Sequence, residues 1–247
     1  MDYNVLLLTK NECYTSQVGV IDQKPVGIVV HSTGANNPNL RRYVQPDDGR
    51  VGKHPYSNHW NRTGLEKCVH EMIGRDKDGV VCTYQLLPLN IFAWGVGKGS
   101  KGSYNYDPMY LQFEICEDAL DDEVYYSQVM SEAKELCARW CKEFDIPVEN
   151  IVSHKEAHTL GYASNHGDVD HWLKEFGDTM EDFRNDVRMF IEREEEPEEV
   201  PSIDEDEVPQ DDHNESVEYI KTPEEAQNFL VGLLNHIIGF IMKFFKK

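Results

Sequence analysis

VGIVVH, Val26 to His31, is a short β-branched apolar run that follows Pro25 and ends shortly before Gly34. It reads as a buried strand, and its C-terminal end delivers a histidine to the rim of a sheet. Val80 to Leu86 and Leu111 to Cys116 read the same way. Between these runs lie turn-rich stretches, Asn36 to Asn39 and Trp94 to Asn105, the second carrying four glycines, so the strands bear long surface loops. Loops on a rigid sheet suit a substrate groove. Ser127 to Phe144 has the rhythm of an amphipathic helix, with Val129, Ala133, Leu136, Trp140 and Phe144 on one stripe and Pro147 just past its end. A second helix is predicted over Met180 to Glu194. Strands interleaved with helices make an α/β domain over residues 1–190, a central mixed β-sheet flanked by helices. No internal repeat is visible.

The rest of the chain differs in composition. Of the net charge of −21, about −12 sits in Ile191 to Ser216, where thirteen Asp or Glu face one Arg. That block is a solvated linker, and the sequence places an acidic disordered linker over 191–222. Residues 223–247 carry a broad apolar face of Phe229, Leu230, Leu233, Leu234, Ile237, Ile241, Phe244 and Phe245, with Lys243 and Lys246 on the other side. The apolar stretch would span roughly 25 Å, short of the roughly 30 Å of a bilayer core. A cationic amphipathic helix on a membrane surface, one paired with a copy of itself, and one docked on its own domain all fit. Residues 1–190 keep about −10, which repels a phosphate backbone and argues against nucleic acid as a partner. Six cysteines without a Cys-x-x-Cys pair point to free thiols, and Cys137 and Cys141, four apart on a helix, read as small buried residues. The N-terminus lacks a basic start and a small-residue cleavage site, so no export signal is expected.

Ten histidines are present, and His154, His158 and His166 lie with Asp168, Asp170 and His171 inside Ile151 to Trp172. Such density asks for a metal. Catalytic zinc takes three protein ligands and leaves a fourth position to water, a demand that one His from an early strand plus a His and an Asp from a late loop would meet. Glu114 stands in Gln112-Phe113-Glu114-Ile115-Cys116, where strand alternation points it away from Phe113 and Ile115. A carboxylate there needs either a salt bridge or an acid/base role.

His31-Ser32-Thr33-Gly34 with Ala35-Asn36-Asn37-Pro38, Phe113-Glu114-Ile115-Cys116, and Ser153-His154 followed by Ala163-Ser164-Asn165-His166-Gly167-Asp168 together resemble the type 2 N-acetylmuramoyl-L-alanine amidases. Three separated blocks in the right order carry the resemblance, which spans Tyr3 to Phe190. It implies the fold shared with the peptidoglycan recognition proteins, with a zinc-bearing surface groove, and many such proteins are phage or prophage endolysins. By the same resemblance His31, His154 and Asp168 are the Zn2+ ligands and Glu114 is the catalytic carboxylate. Relatives often place a Lys two residues before the last ligand, to steady the oxyanion. Here that position is His166, whose residue type, with a reference pKa of about 6.5, is a cation only when protonated. The implied reaction is hydrolysis of the amide between the lactyl group of N-acetylmuramic acid and L-alanine in peptidoglycan.

His158 is a second-choice ligand, Asp170 and His171 read as supporting or structural residues, and His70 as a structural residue turned into the sheet. Trp60 and Trp94 either stack on substrate or anchor loops. No Gly-x-Ser-x-Gly elbow occurs, which sets a serine hydrolase aside. Two rivals share the substrate: a recognition protein that binds peptidoglycan without cutting it, and an enzyme that cuts within the stem peptide. Without an export signal, the enzyme would be made in the cytoplasm and reach the wall through a lytic pore.

Overall fold

The computed structural model describes residues 1–195; the first five residues of the linker expected over 191–222 are instead the last turn of a helix that runs to Glu195, while the rest of that linker and the expected helix at 223–247 lie outside the described residues. In chain order the elements are β1 (Tyr3–Val5), α1 (Glu12–Thr15), β2 (Gly27–Ser32), β3 (Glu71–Arg75), β4 (Val81–Gln85), β5 (Tyr110–Ile115), α2 (Glu123–Phe144), β6 (Ile151–Ser153), α3 (His154–Leu160), α4 (Asp170–Glu175) and α5 (Met180–Glu195). The strands form one sheet in the order β1-β4-β3-β5-β2-β6. Parallel pairing joins β3, β5, β2 and β6, β4 runs antiparallel to β3, and β1 is parallel to β4. The mixed sheet expected from the sequence is therefore present, with β2 between β5 and the edge strand β6 and buried along its whole length.

Alternation along the strands sorts the two faces. Ile28, Val30, Leu111, Phe113 and Ile115 meet Val129, Ala133, Leu136 and Trp140 of α2 and Phe183 and Val187 of α5 in the larger core. The Phe113 and Trp140 rings meet edge to face at 5.8 Å, and truncating Trp140 to alanine would cost about 3–5 kcal/mol. Met72, Cys82 and Tyr84 face the other way and are covered by Leu40, Val44, Val69, Leu86 and Ile91 from loops and strand flanks. All six cysteines are free and buried, with Cys137 and Cys141 in the larger core.

α2 starts four residues before the rhythm of its apolar stripe suggests. Asp122 caps it by accepting from the Tyr125 backbone N–H, and Tyr125 and Tyr126 add a buried turn. At the other sheet edge, Ser153 ends β6 and caps α3 reciprocally: Glu156 N–H donates to Ser153 Oγ at 3.0 Å and Ser153 N–H to Glu156 Oε2 at 3.1 Å. Arg184 of α5 grips this junction, its guanidinium reaching both Glu156 oxygens and the Ile151 carbonyl, the last at 2.9 Å. No helix among the described residues is long and apolar enough to cross a membrane.

Candidate metal centre

Three neighbouring parallel strands, β5, β2 and β6, end on one side of the sheet and deliver polar groups there, the usual place for a site in a parallel sheet. His31 is the penultimate residue of β2 and pairs in register with Glu114 of β5, so both point to the same face. His154 follows β6 as the first residue of α3, fixed by the cap at Ser153. Asp168 arrives from the loop before α4 and is buried with both histidines.

His31 Nδ1 lies 3.1 Å from Asp168 Oδ2, His154 Nδ1 lies 3.4 Å from the same oxygen, and the two Nδ1 atoms are 3.0 Å apart. The imidazole planes cross at 89°. A tetrahedral ion with bonds of about 2.0–2.2 Å holds its ligand atoms roughly 3.3 Å apart, so this triangle has the size of three of the four corners. Among the described residues it is the one group of His, Cys, Asp or Glu whose ligand atoms converge.

The protonation pattern also suits a cation. Ser164 Oγ donates to the Val96 carbonyl at 2.9 Å, leaving its lone pair for the His154 Nε2–H at 3.3 Å, which frees the Nδ1 lone pair of His154. Burial pushes the His31 imidazole toward its neutral form. Burial alone would raise the Asp168 carboxyl, but hydrogen bonds with His154 and His31 outweigh it and hold the group well below the usual carboxylate range. A neutral imidazole beside an ionised carboxylate is a pairing that ligates a metal.

Around this triangle opens a cleft of about 530 Å³, lined by Glu114, His166, Trp60, Trp94, Asn105 and Ser164 among others. Glu114 forms no salt bridge; its Oε2 is shielded and without a partner. Burial pushes its carboxyl well above the usual range, and Asp168 and Glu117 add to the effect. Of the two readings open to it, a structural ion pair is thereby removed. His166 stacks on His154 with ring centroids 4.8 Å apart, its Nδ1 3.8 Å from Asp168 Oδ1, and its side chain is 62 % exposed at the cleft mouth.

Three further histidines are otherwise employed. His158 Nδ1 bonds the Ala163 carbonyl at 3.1 Å, so the second-choice ligand stabilises a turn and stands outside the converging group. His171 pairs with Glu117 at 3.1 Å, and Asp170 lies 3.7 Å from Lys155. His70, fully buried, accepts at Nδ1 from the Gln112 N–H and donates from Nε2 to the Ile91 carbonyl, both at 2.9 Å. Trp60 and Trp94 pack on the smaller core and line the cleft. Sequence reasoning passed over Ser164, although it lies inside the block that supplies Asp168. It also passed over Gln112, whose signal was its place two residues before Glu114 on the same face of β5.

A family model described as N-acetylmuramoyl-L-alanine amidase matches residues 22–168, a span that contains every residue of the triangle together with Glu114 and His166. No curated protein matches the sequence. Among solved structures, the catalytic domain of PlyG is 20 % identical with a TM-score of 0.54, covering 80 % of this chain and 99 % of that one. PlyL is 18 % identical with a TM-score of 0.50, over 76 % and 96 % of the two chains. The Staphylococcus aureus hydrolase AmiA, solved in complex with its ligand, is 15 % identical with a TM-score of 0.50, over 77 % and 82 %. At these identities the likeness is one of fold.

Proposed function

The chain belongs to the N-acetylmuramoyl-L-alanine amidase family, and from that premise we infer how its own residues divide the work of cutting the amide between the lactyl group of N-acetylmuramic acid and L-alanine in peptidoglycan. The single observation that carries the assignment is the triangle of His31 Nδ1, His154 Nδ1 and Asp168 Oδ2, a two-histidine, one-carboxylate donor set with the spacing of a tetrahedral zinc site. Zinc bound there supplies Lewis-acid polarisation of the scissile carbonyl and a water acidified toward neutral pH.

Glu114 is the acid/base. It stands in register with His31, it has an oxygen with no other partner, and its raised proton affinity suits a group that must accept a proton and give it back. It takes the proton from the attacking water and returns it to the nitrogen of the departing L-alanine, because an amine leaves only when protonated. His166, held against His154 but open to the cleft, donates to the developing oxyanion, the task that relatives often give to a lysine. Trp60 and Trp94 give the cleft apolar walls against which sugar or peptide can lie.

The test is digestion of purified peptidoglycan with and without a chelator, reading the fragments by mass spectrometry. Chelator-sensitive release of stem peptides with a free L-alanine amine is expected. Intact peptidoglycan that still binds the protein would favour the receptor reading, and fragments cut within the stem would move the scissile bond. As part of the same proposal, the enzyme reaches the wall through a lytic pore, with residues 223–247 bringing it to a membrane or wall surface. Removing those residues should weaken lysis of whole cells while sparing hydrolysis of soluble fragments; equal losses would contradict targeting.

A further inference from the structure

One buried amide touches both the metal centre and the wall of the cleft. Gln112 lies on β5 two residues before Glu114 and pairs in register with Val29, two residues before His31, so all three polar side chains share a face. It is wholly buried. Its Oε1 accepts from the Gly95 N–H at 3.0 Å. Its Nε2 donates to the carbonyls of Ala93 at 3.1 Å and Tyr104 at 3.2 Å, with Asn105 Oδ1 at 3.4 Å. Both ends of the loop that brings Trp94, Gly95, Gly97 and Asn105 to the cleft are thus fastened to one side chain.

An amide oxygen has two lone pairs, and the Gly95 N–H uses one. The second has a neighbour in need. His31 Nε2 is buried and meets no acceptor at hydrogen-bond geometry. Once Nδ1 of that ring is committed to a cation, the single ring proton must sit on Nε2 and requires an acceptor there. Gln112 Oε1 and His31 Nε2 border the same point: a Cβ at position 95 would stand 2.5 Å from the first and 3.5 Å from the second. Residue 95 is glycine where a side chain would drive these groups apart.

We propose that Gln112 is a positioning residue for the metal centre, its amide oxygen holding the Nε2–H of His31 so that Nδ1 faces the cation, while its amide nitrogen ties the cleft wall to the strand that carries Glu114. The inference rests on the reading of His31 as a zinc ligand. It makes the substrate wall and the metal ligand two loads on one side chain, so the two are separable by substitution. Gln112→Met removes both the acceptor and the donors. Gln112→Glu keeps an acceptor oxygen toward His31 and loses the donors to the wall. Gly95→Ala leaves Gln112 in place and pushes its oxygen aside.

The experiment is zinc competition against a chromophoric chelator, with the tautomer of His31 read from its ring ¹⁵N signals and KM and kcat measured alongside. In Gln112→Met, zinc affinity should fall roughly tenfold to a hundredfold, with loss of the Nε2–H signal and a raised KM. In Gln112→Glu, zinc affinity should stay within about threefold of wild type while KM rises. Gly95→Ala should lose zinc affinity in the same direction as Gln112→Met, which covers the case in which that variant fails to fold. A folded Gln112→Met or Gly95→Ala that binds zinc as tightly as wild type overturns the inference and leaves Gln112 a wall anchor alone. A wild-type chain that binds no zinc overturns the reading of the site itself, and this inference with it.

Discussion

His31, on β2, and His70, the residue just before β3, are both buried histidines, and they differ in where their nitrogens point. Both nitrogens of His70 are spent on the main chain, at Gln112 and Ile91. His31 turns one nitrogen toward Asp168 and His154 and leaves the other without a partner. Backbone satisfaction makes the first ring a rivet in the sheet. Ligand atoms converging from three separate segments make the second one part of a socket, because one cation between those atoms would satisfy all three together.

The hardest blow to this contrast comes from the socket. His31→Ala should lose both metal and hydrolysis, whereas Glu114→Gln should retain metal and lose roughly 10²- to 10⁴-fold in turnover; metal content and peptidoglycan digestion measured on the same samples separate the two. A Glu114 variant at near wild-type rate would remove the acid/base assignment. His166→Ala should slow turnover by roughly tenfold to a hundredfold, beneath the effect of an enclosed oxyanion donor because the ring is exposed. Unchanged turnover would take that role away.

On the rivet's side the effect appears in stability. Burial holds His70 neutral and brings its pKa down to about 4, against about 6.5 in an unfolded chain. As pH falls the unfolded chain takes up this proton first, so the contribution of His70 is whole above about pH 6.5 and is lost toward pH 4, by about 3 kcal/mol. Urea unfolding of wild type and His70→Gln across this range should show the difference between them shifting against wild type as the solution is acidified. A constant difference would mean that His70 takes up its proton alike in the folded and the unfolded chain. Smallest of all, His158→Ala should keep its metal and lose about 1 kcal/mol, the worth of its bond to the Ala163 carbonyl.

How much of this was written in the sequence depends on length and pattern. The long apolar runs gave β2, β4 and β5 to within a residue or two, the 3.6-residue stripe gave all but the first turn of α2, and the helix predicted over Met180 to Glu194 matches α5. β1 and β6 are three residues each, too short for any periodicity to register. β3 hides a fully buried glutamate, Glu71, that its partners Tyr3 and Arg139 make tolerable only once the fold exists. α3 did have a signal, the Ser153-x-x-Glu156 box, which lay unread inside the histidine-rich stretch. The five candidate residues could be named from the sequence, but it could not reveal that Gln112 serves His70 with its backbone while its side chain adjoins His31.

The grip of Arg184 on Glu156 and the Ile151 carbonyl has a consequence for the order in which the enzyme is made. A chain emerging from the ribosome has presented all three candidate ligands once Asp168 is out, yet the junction that aims His154 stays unclamped until residue 184 follows, sixteen residues later. Synthesis therefore delivers the parts of the site before the part that steadies it, and a chain stopped between the two would own every ligand while lacking the hold on one of them.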